Sequence, residues 1–314
     1  MNAHTLTLLG GPHGELRLPA SLLHEAVGAL LDGARLATRF AVEGQSVRNG
    51  PRPKWLDAAC AVDVTGLTPG SAVIAMEAPT LVEVDPVKFG SGGQRSLFED
   101  DGENLGEQTA VDLFGQILAS LVERSADEIV ADRALLDGCA RFAKVSGEGF
   151  DGVQLDGLRG RAEPLVIAAH HVREIELLRD ETPPSQAVRV SGTLDTISAS
   201  NANVALKLKD GATVPARMDN HDPAELRTLF GKPVVVSGVA HYRPSGRLLM
   251  VNVESIGKAD AGDVLFETAP LSRERLPVAA PVAQDESSGV SAFFGTWPGD
   301  ESDEELLEAL AAIE

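Results

Sequence analysis

At Pro183 and Pro184 the chain stops interleaving helical and strand patterns and enters a run of period-two segments. Adjacent prolines end the preceding helix, because neither offers a backbone donor and the first restricts the residue before it. Alternation then marks strands at Ala187 to Ile197, Asn203 to Lys209, Thr213 to Met218, Pro233 to Tyr242 and Arg247 to Ile256. A helical pattern from Pro223 to Phe230 separates the third from the fourth. The alternation in VRVSGTLDTI and PVVVSGVAHY has the period-two pattern that one face of a small barrel needs. Gly192 and Gly238 stand inside strands, where glycine marks a bulge, a corner or a close backbone approach.

The order β-β-β-α-β-β over residues 186–258 resembles the OB-fold, a five-stranded, partly open barrel. Residues 1–183 read as a mixed α/β domain, so the expected class is α+β. Alternating leucines (Leu6, Leu8, Leu16, Leu18) around GGPHG predict a hairpin, and the spacing over Ser21 to Phe40 predicts a helix. A second hairpin is expected around Thr68, Pro69 and Gly70, and a long mobile loop over 86–107. Helices over Thr109 to Glu123 and Asp127 to Lys144, two short strands, and a helix from His170 to Asp180 complete this region. After the barrel, residues 259–291 read as a linker rich in Pro, Ala and Ser, and 292–314 as a separate acidic tail.

Charge is spread unevenly. The 314 residues carry a formal charge of −20: −12 over 1–185, +3 over 186–258, −2 over 259–275, and −9 over the last 39 residues, which hold no Lys or Arg. An acidic whole disfavours nucleic-acid binding, which draws on clustered cations. The longest uncharged stretch, about fourteen residues, falls short of the roughly twenty a membrane helix needs, so a membrane role is not expected. The first twenty residues lack the basic start and apolar segment of a secretion signal, which implies a cytoplasmic protein. Cys60 and Cys139 stand apart in apolar contexts and read as buried free thiols.

The tail gathers three of the chain's thirteen aromatics, Phe293, Phe294 and Trp297. Such side chains anchor interfaces when buried. Ser302 with Glu305 forms a capping box, and Leu306, Leu307, Leu310 and Ile313 make one apolar stripe of a short helix. An all-acid helix of this length is marginal alone and needs a surface to fold upon.

The run Phe293-Phe294-Gly295-Thr296-Trp297-Pro298-Gly299-Asp300-Glu301-Ser302-Asp303-Glu304-Glu305-Leu306 resembles the carboxy-terminal ending of antitoxin-type proteins encoded beside PIN-domain ribonuclease toxins. The resemblance covers about twenty residues. It implies that Phe293, Phe294, Trp297, Pro298, Gly299, Asp300, Glu301, Asp303, Glu304, Leu306, Leu307 and Leu310 bind the toxin. Many such antitoxins place a basic side chain among the toxin's metal-binding carboxylates, and this tail has none. Here the acids would instead imitate an RNA backbone on the toxin's basic rim, with the aromatics as anchors.

The alternative is an OB-barrel nucleic-acid-binding or regulatory protein whose acidic tail is autoinhibitory. Lys207, Lys209, Arg217, Tyr242, Arg243 and Arg247 would then line the binding face, with Tyr242 as the stacking platform. No catalytic set, metal site or cofactor motif is expected, and an enzyme ranks last. His170 and His171 are neighbours that point to different faces. GSGGQRS at 90–96 lacks the order of a phosphate loop, and Asp100, Asp101, Glu103 and Glu107 miss the calcium-loop spacing.

Overall fold

The computed structural model describes residues 1–10, 19–48, 50–68, 72–90, 104–147, 150–198, 203–218 and 223–272. Contacts group the chain into two units, Met1–Arg275 and Leu276–Glu314. The expected tail therefore lies outside the described residues, as do residues 11–18 and the middle of the 86–107 loop.

The front of the chain builds an antiparallel sheet from β1 (Asn2–Leu9), β2 (Asp63–Thr68), β3 (Ala72–Ala78), β4 (Gly152–Asp156) and β5 (Leu165–Ala168). Their order is β2-β3-β1-β4-β5. The first strand is thus central. Leu8 pairs with Ala72 on one side and Val153 on the other, so both edges of β1 are taken; Leu16 and Leu18 of the expected hairpin lie outside the described residues. The second expected hairpin is present as β2 and β3.

Leu6, Leu8, Ile74, Met76, Val153 and Leu155 turn one face of the sheet into the core. There they join α1 (Ala20–Glu43), α5 (Ala110–Glu123) and α6 (Arg133–Lys144), all with apolar stripes at helical spacing. Phe114 and Phe142 meet edge to face at 5.4 Å between α5 and α6. Short helices α2 (Lys54–Ala59), α3 (Leu81–Val84) and α4 (Pro86–Phe89) had no periodicity to announce them. Thr80 starts α3 with a capping box completed by Glu83, and Asp85 caps α4. Helix α7 (Ala169–Glu181) ends one residue before Thr182, ahead of the two prolines.

The second part is a closed five-stranded barrel of β6 (Gln186–Ser198), β7 (Asn203–Lys207), β8 (Thr213–Arg217), β9 (Pro233–Tyr242) and β10 (Leu248–Lys258), with α8 (Pro223–Leu229) between β8 and β9. The order β10-β8-β7-β6-β9 closes through the β9–β10 pair, and β10 runs parallel to β8 at Val251 and Asn252. Val190, Leu194, Leu206, Val214, Val234, Val236 and Val251 fill it. Gly238 of β9 pairs with Val253 of β10, and a Cβ there would lie 2.0 Å from the Asn252 carbonyl oxygen.

Residues following β10 stay on the barrel. A 3-10 turn over Ala261–Phe266 is capped by Asp260, its Asp263 takes a 2.7 Å ion pair from Arg189, and Gln186 donates to the Leu271 carbonyl at 2.7 Å. The stretch expected to be linker from residue 259 is thus barrel surface through Ser272. Among the described residues no helix is long and apolar enough to cross a membrane.

Candidate functional site

The two parts of Met1–Arg275 are joined by side chains that sequence reasoning assigned elsewhere. Arg217, at the end of β8, is 3% exposed and donates from Nη2 to the Val42 carbonyl near the end of α1. Gly44 ends that helix with φ +73, its amide bonding Phe40 O at 2.8 Å. A side chain at Gly44 would also collide with Arg217, its Cβ 2.7 Å from Cδ, so glycine is required there twice over. Leu249 and Met250 of β10 belong to the same buried cluster as the helices of the first part.

Arg243 donates to the carbonyls of Asp127 (2.8 Å) and Ile129 (3.3 Å), and Arg247 reaches the Asp127 carboxylate at 3.6 Å. Tyr242 is 1% exposed, and Gln186 donates to its hydroxyl. A ring so enclosed offers no face to a base. Lys207 is exposed, and Lys209 pairs with Glu267. Of six residues suggested for a nucleic-acid face, Arg217 and Tyr242 are buried and Arg243 and Arg247 bind the neighbouring domain. Lys207, Lys209 and Arg247 remain exposed on the barrel surface, the last beside Asp127.

Behind this junction lies a buried polar chain. Asp132 caps α6, its Oδ1 accepting from Leu135 N (2.9 Å) and Ser46 Oγ (2.5 Å), its Oδ2 from Ser46 N (2.8 Å). His241, 5% exposed, lies between Ser185 Oγ (2.8 Å) and Asn252 Nδ2 (3.0 Å). With the amide donating to Nε2, Nδ1 carries the proton and the imidazole is neutral. Burial holds its pKa below the ordinary 6.5, partly opposed by the Asp132 charge.

His4 is a second such case: its Nε2 meets Thr109 Oγ1 at 3.0 Å, and Thr109 Oγ1 donates to Asp112 Oδ2 at 2.8 Å. Burial lowers its pKa as well, against the Asp112 charge and a Gly157 backbone contact. Hydroxyl, imidazole and carboxylate meet here as in a nucleophilic triad, yet the hydroxyl proton points to the acid and Thr109 is fully buried. The group pins β1 to the start of α5.

These two histidines give stability a pH dependence. A folded pKa below the unfolded one means the unfolded chain binds more protons between them, so stability is complete above about pH 6.5 and declines as pH falls. The native carboxylates with lowered pKa values (Glu83, Glu123 and Glu128, from an ordinary 4.5) act only at lower pH. The melting temperature is expected to fall between about pH 7.5 and pH 5.5, and the fall to shrink in a His4→Gln/His241→Gln variant. A pH-independent wild-type melting temperature over that range would contradict the neutral assignment.

His170 and His171 do touch, their rings 3.9 Å apart, because both sit in the first turn of α7. His171 Nδ1 accepts from Ala168 N at 3.1 Å, a capping use. Cys60 and Cys139 are buried; burial pushes Cys60 up to about 11 and raises Cys139 further, so neither is a thiolate near neutrality. Among the described residues no cluster of three His, Cys, Asp or Glu could hold a metal. His221, Asp222, residues 91–96 of the glycine-rich loop and the acids at 100–103 lie outside the described residues. Glu107 ion-pairs with Arg159.

One feature was missed altogether. Where the end of α1 leads through residues 44–53 to α2, a cleft of about 370 Å³ is lined by Arg35, Arg39, Arg48 and Arg52. Leu36, Val47 and Leu56 with Ser46 and Gly50 complete its wall. Arg35 pairs with Asp32 at 2.9 Å, Arg39 with Glu43 at 2.8 Å, and Arg52 with Asp57 at 3.2 Å. A charge sum over 1–185 hid this patch. Taken over residues 33–56, five cations face a single carboxylate, Glu43.

No protein-family model matches this sequence, and no curated protein matches it significantly.

Proposed function

We propose that this is a non-enzymatic, partner-binding protein of antitoxin type, acting in the cytoplasm, whose last 23 residues neutralise a PIN-domain ribonuclease. The observation that carries the reading is the tail itself: Phe293, Phe294 and Trp297 ahead of a capping box, a leucine stripe and acids with no base over the final 39 residues. Anchoring aromatics supply buried area, and the acids supply complementarity to a surface built to hold RNA. The barrel reads as OB-like, supported by its strand order and by the helix between its third and fourth strands. Its competing use as a nucleic-acid face loses support, because Arg217, Tyr242 and Arg243 serve packing within Met1–Arg275.

The test is deletion of residues 292–314. The full chain is expected to co-elute with a PIN-domain ribonuclease and to suppress its RNA cleavage. The shortened chain should lose affinity by about a hundredfold or more, as expected when several interface anchors go together, with its melting temperature unchanged. Undiminished protection of growth by residues 1–291 would overturn the proposal.

A further inference from the structure

We propose that the arginine-lined cleft between α1 and α2 binds a small phosphate-bearing ligand of nucleotide size. Four arginines line one cavity in a chain of formal charge −20. Asp32, Glu43 and Asp57, which pair with three of them, do not line the cavity, and no carboxylate among the described residues does. The acids therefore hold the cations from outside and leave the wall cationic. Arg35, Arg39 and Arg52 each engage their acid through one nitrogen: Nη1, Nε and Nη1 respectively. A guanidinium has five N–H groups, so most of each fork is left over for a ligand. Arg35 Nε is shielded from solvent and has no hydrogen-bond partner among the described residues.

Arginine forks match phosphate oxygens two at a time, which a point charge such as lysine cannot do. Besides the arginines, the wall holds apolar Leu36, Val47 and Leu56 with Ser46 and Gly50, and Val47 is 57% exposed beside the cations. That combination suits a molecule with a charged end and a flat apolar end. The volume lies in the range of small-molecule sites, roughly 300 to 1,000 Å³. An extended RNA strand would need cations along a track, and these are confined to one cleft fed by residues 35–52.

The test uses the full chain and calorimetric titration with ADP, adenosine and an eight-residue oligouridylate. ADP is expected to bind and adenosine not to. Raising salt from about 50 mM to about 300 mM should weaken ADP binding, since exposed charges are then screened. An Arg48→Gln/Arg52→Gln variant changes two exposed side chains. It should keep its melting temperature and bind ADP about tenfold more weakly, the loss expected from two charge-assisted contacts. Absence of ADP binding, salt-independent binding, or equal binding by the variant would overturn the proposal. So would an oligouridylate that binds more tightly than ADP, since the site would then belong to a nucleic acid.

Discussion

Replacing Asp132 with alanine should lower the melting temperature of the protein by on the order of 10 °C. The carboxylate is 4% exposed and accepts three hydrogen bonds: one from the first turn of α6, two from Ser46. Loss of the helix cap alone costs about 0.5–2 kcal/mol. Two further donors, Ser46 N and Ser46 Oγ, would be left buried without partners, at about 1–3 kcal/mol each unless water enters. A total near 4 kcal/mol, at about 2–4 °C per kcal/mol for a body of this size, gives the stated shift. Asp132→Asn keeps the cap oxygen but turns an amide donor towards one Ser46 donor, so an intermediate loss is expected. Removing the charge also withdraws what opposes burial at His241, pushing its pKa further down. Thermal melts of the three proteins decide the matter, and an Asp132→Ala shift under about 2 °C would show that the carboxylate is replaceable by solvent.

Gly238→Ala should cost a comparable amount for a different reason. A methyl at that position would lie 2.0 Å from Asn252 O, 2.9 Å from Asn252 C and 3.0 Å from Val253 Cα, all backbone. No rotamer relieves such a collision, and β9 must part from β10 where Gly238 faces Val253. Overpacking of this kind costs about 1–3 kcal/mol and more when backbone must move. Gly192→Ala meets one atom under 3.0 Å, Lys207 O at 2.9 Å, with the flexible Leu208 Cδ2 at 3.3 Å, and should lose about 1 kcal/mol. Gly257→Ala meets nothing within 4 Å and should be neutral or slightly stabilising. Urea midpoints should rank in that order, and a neutral Gly238→Ala would mean the barrel closes less tightly than the register implies.

How much was legible before the structure depended on whether the signal was local. The barrel strands and their helix stood out because alternation and turn residues mark them one at a time, and each boundary falls within a few residues of the expected one. Pairing is not local: the sequence around β1 says strand, and only the fold says that β3 and β4 occupy both its edges. Arg217, Arg243 and Tyr242 were read as outward-facing barrel residues. On β9 the alternation breaks at His241 and Tyr242, both buried, because the outer wall of the barrel there meets the first domain. A charged residue at a strand end is ambiguous between solvent and a neighbour, and sequence alone carries no term for the neighbour. The arginine cleft is the opposite case. Its signal was local and present, and a sum taken over 185 residues averaged it away.

The sharing of β10 between two interiors also bears on synthesis. Val251 and Val253 fill the barrel, while Leu249 and Met250 finish the core of residues that left the ribosome long before. At about 5–20 residues per second, the 65 or so residues from Ser185 to Met250 take on the order of 3 to 13 s to emerge. Through that interval the nascent front portion carries an unfilled apolar notch beside the end of α1. Chain growth thus sets a period in which the protein is vulnerable to aggregation, and arrival of a single strand near residue 250 ends it for both halves at once.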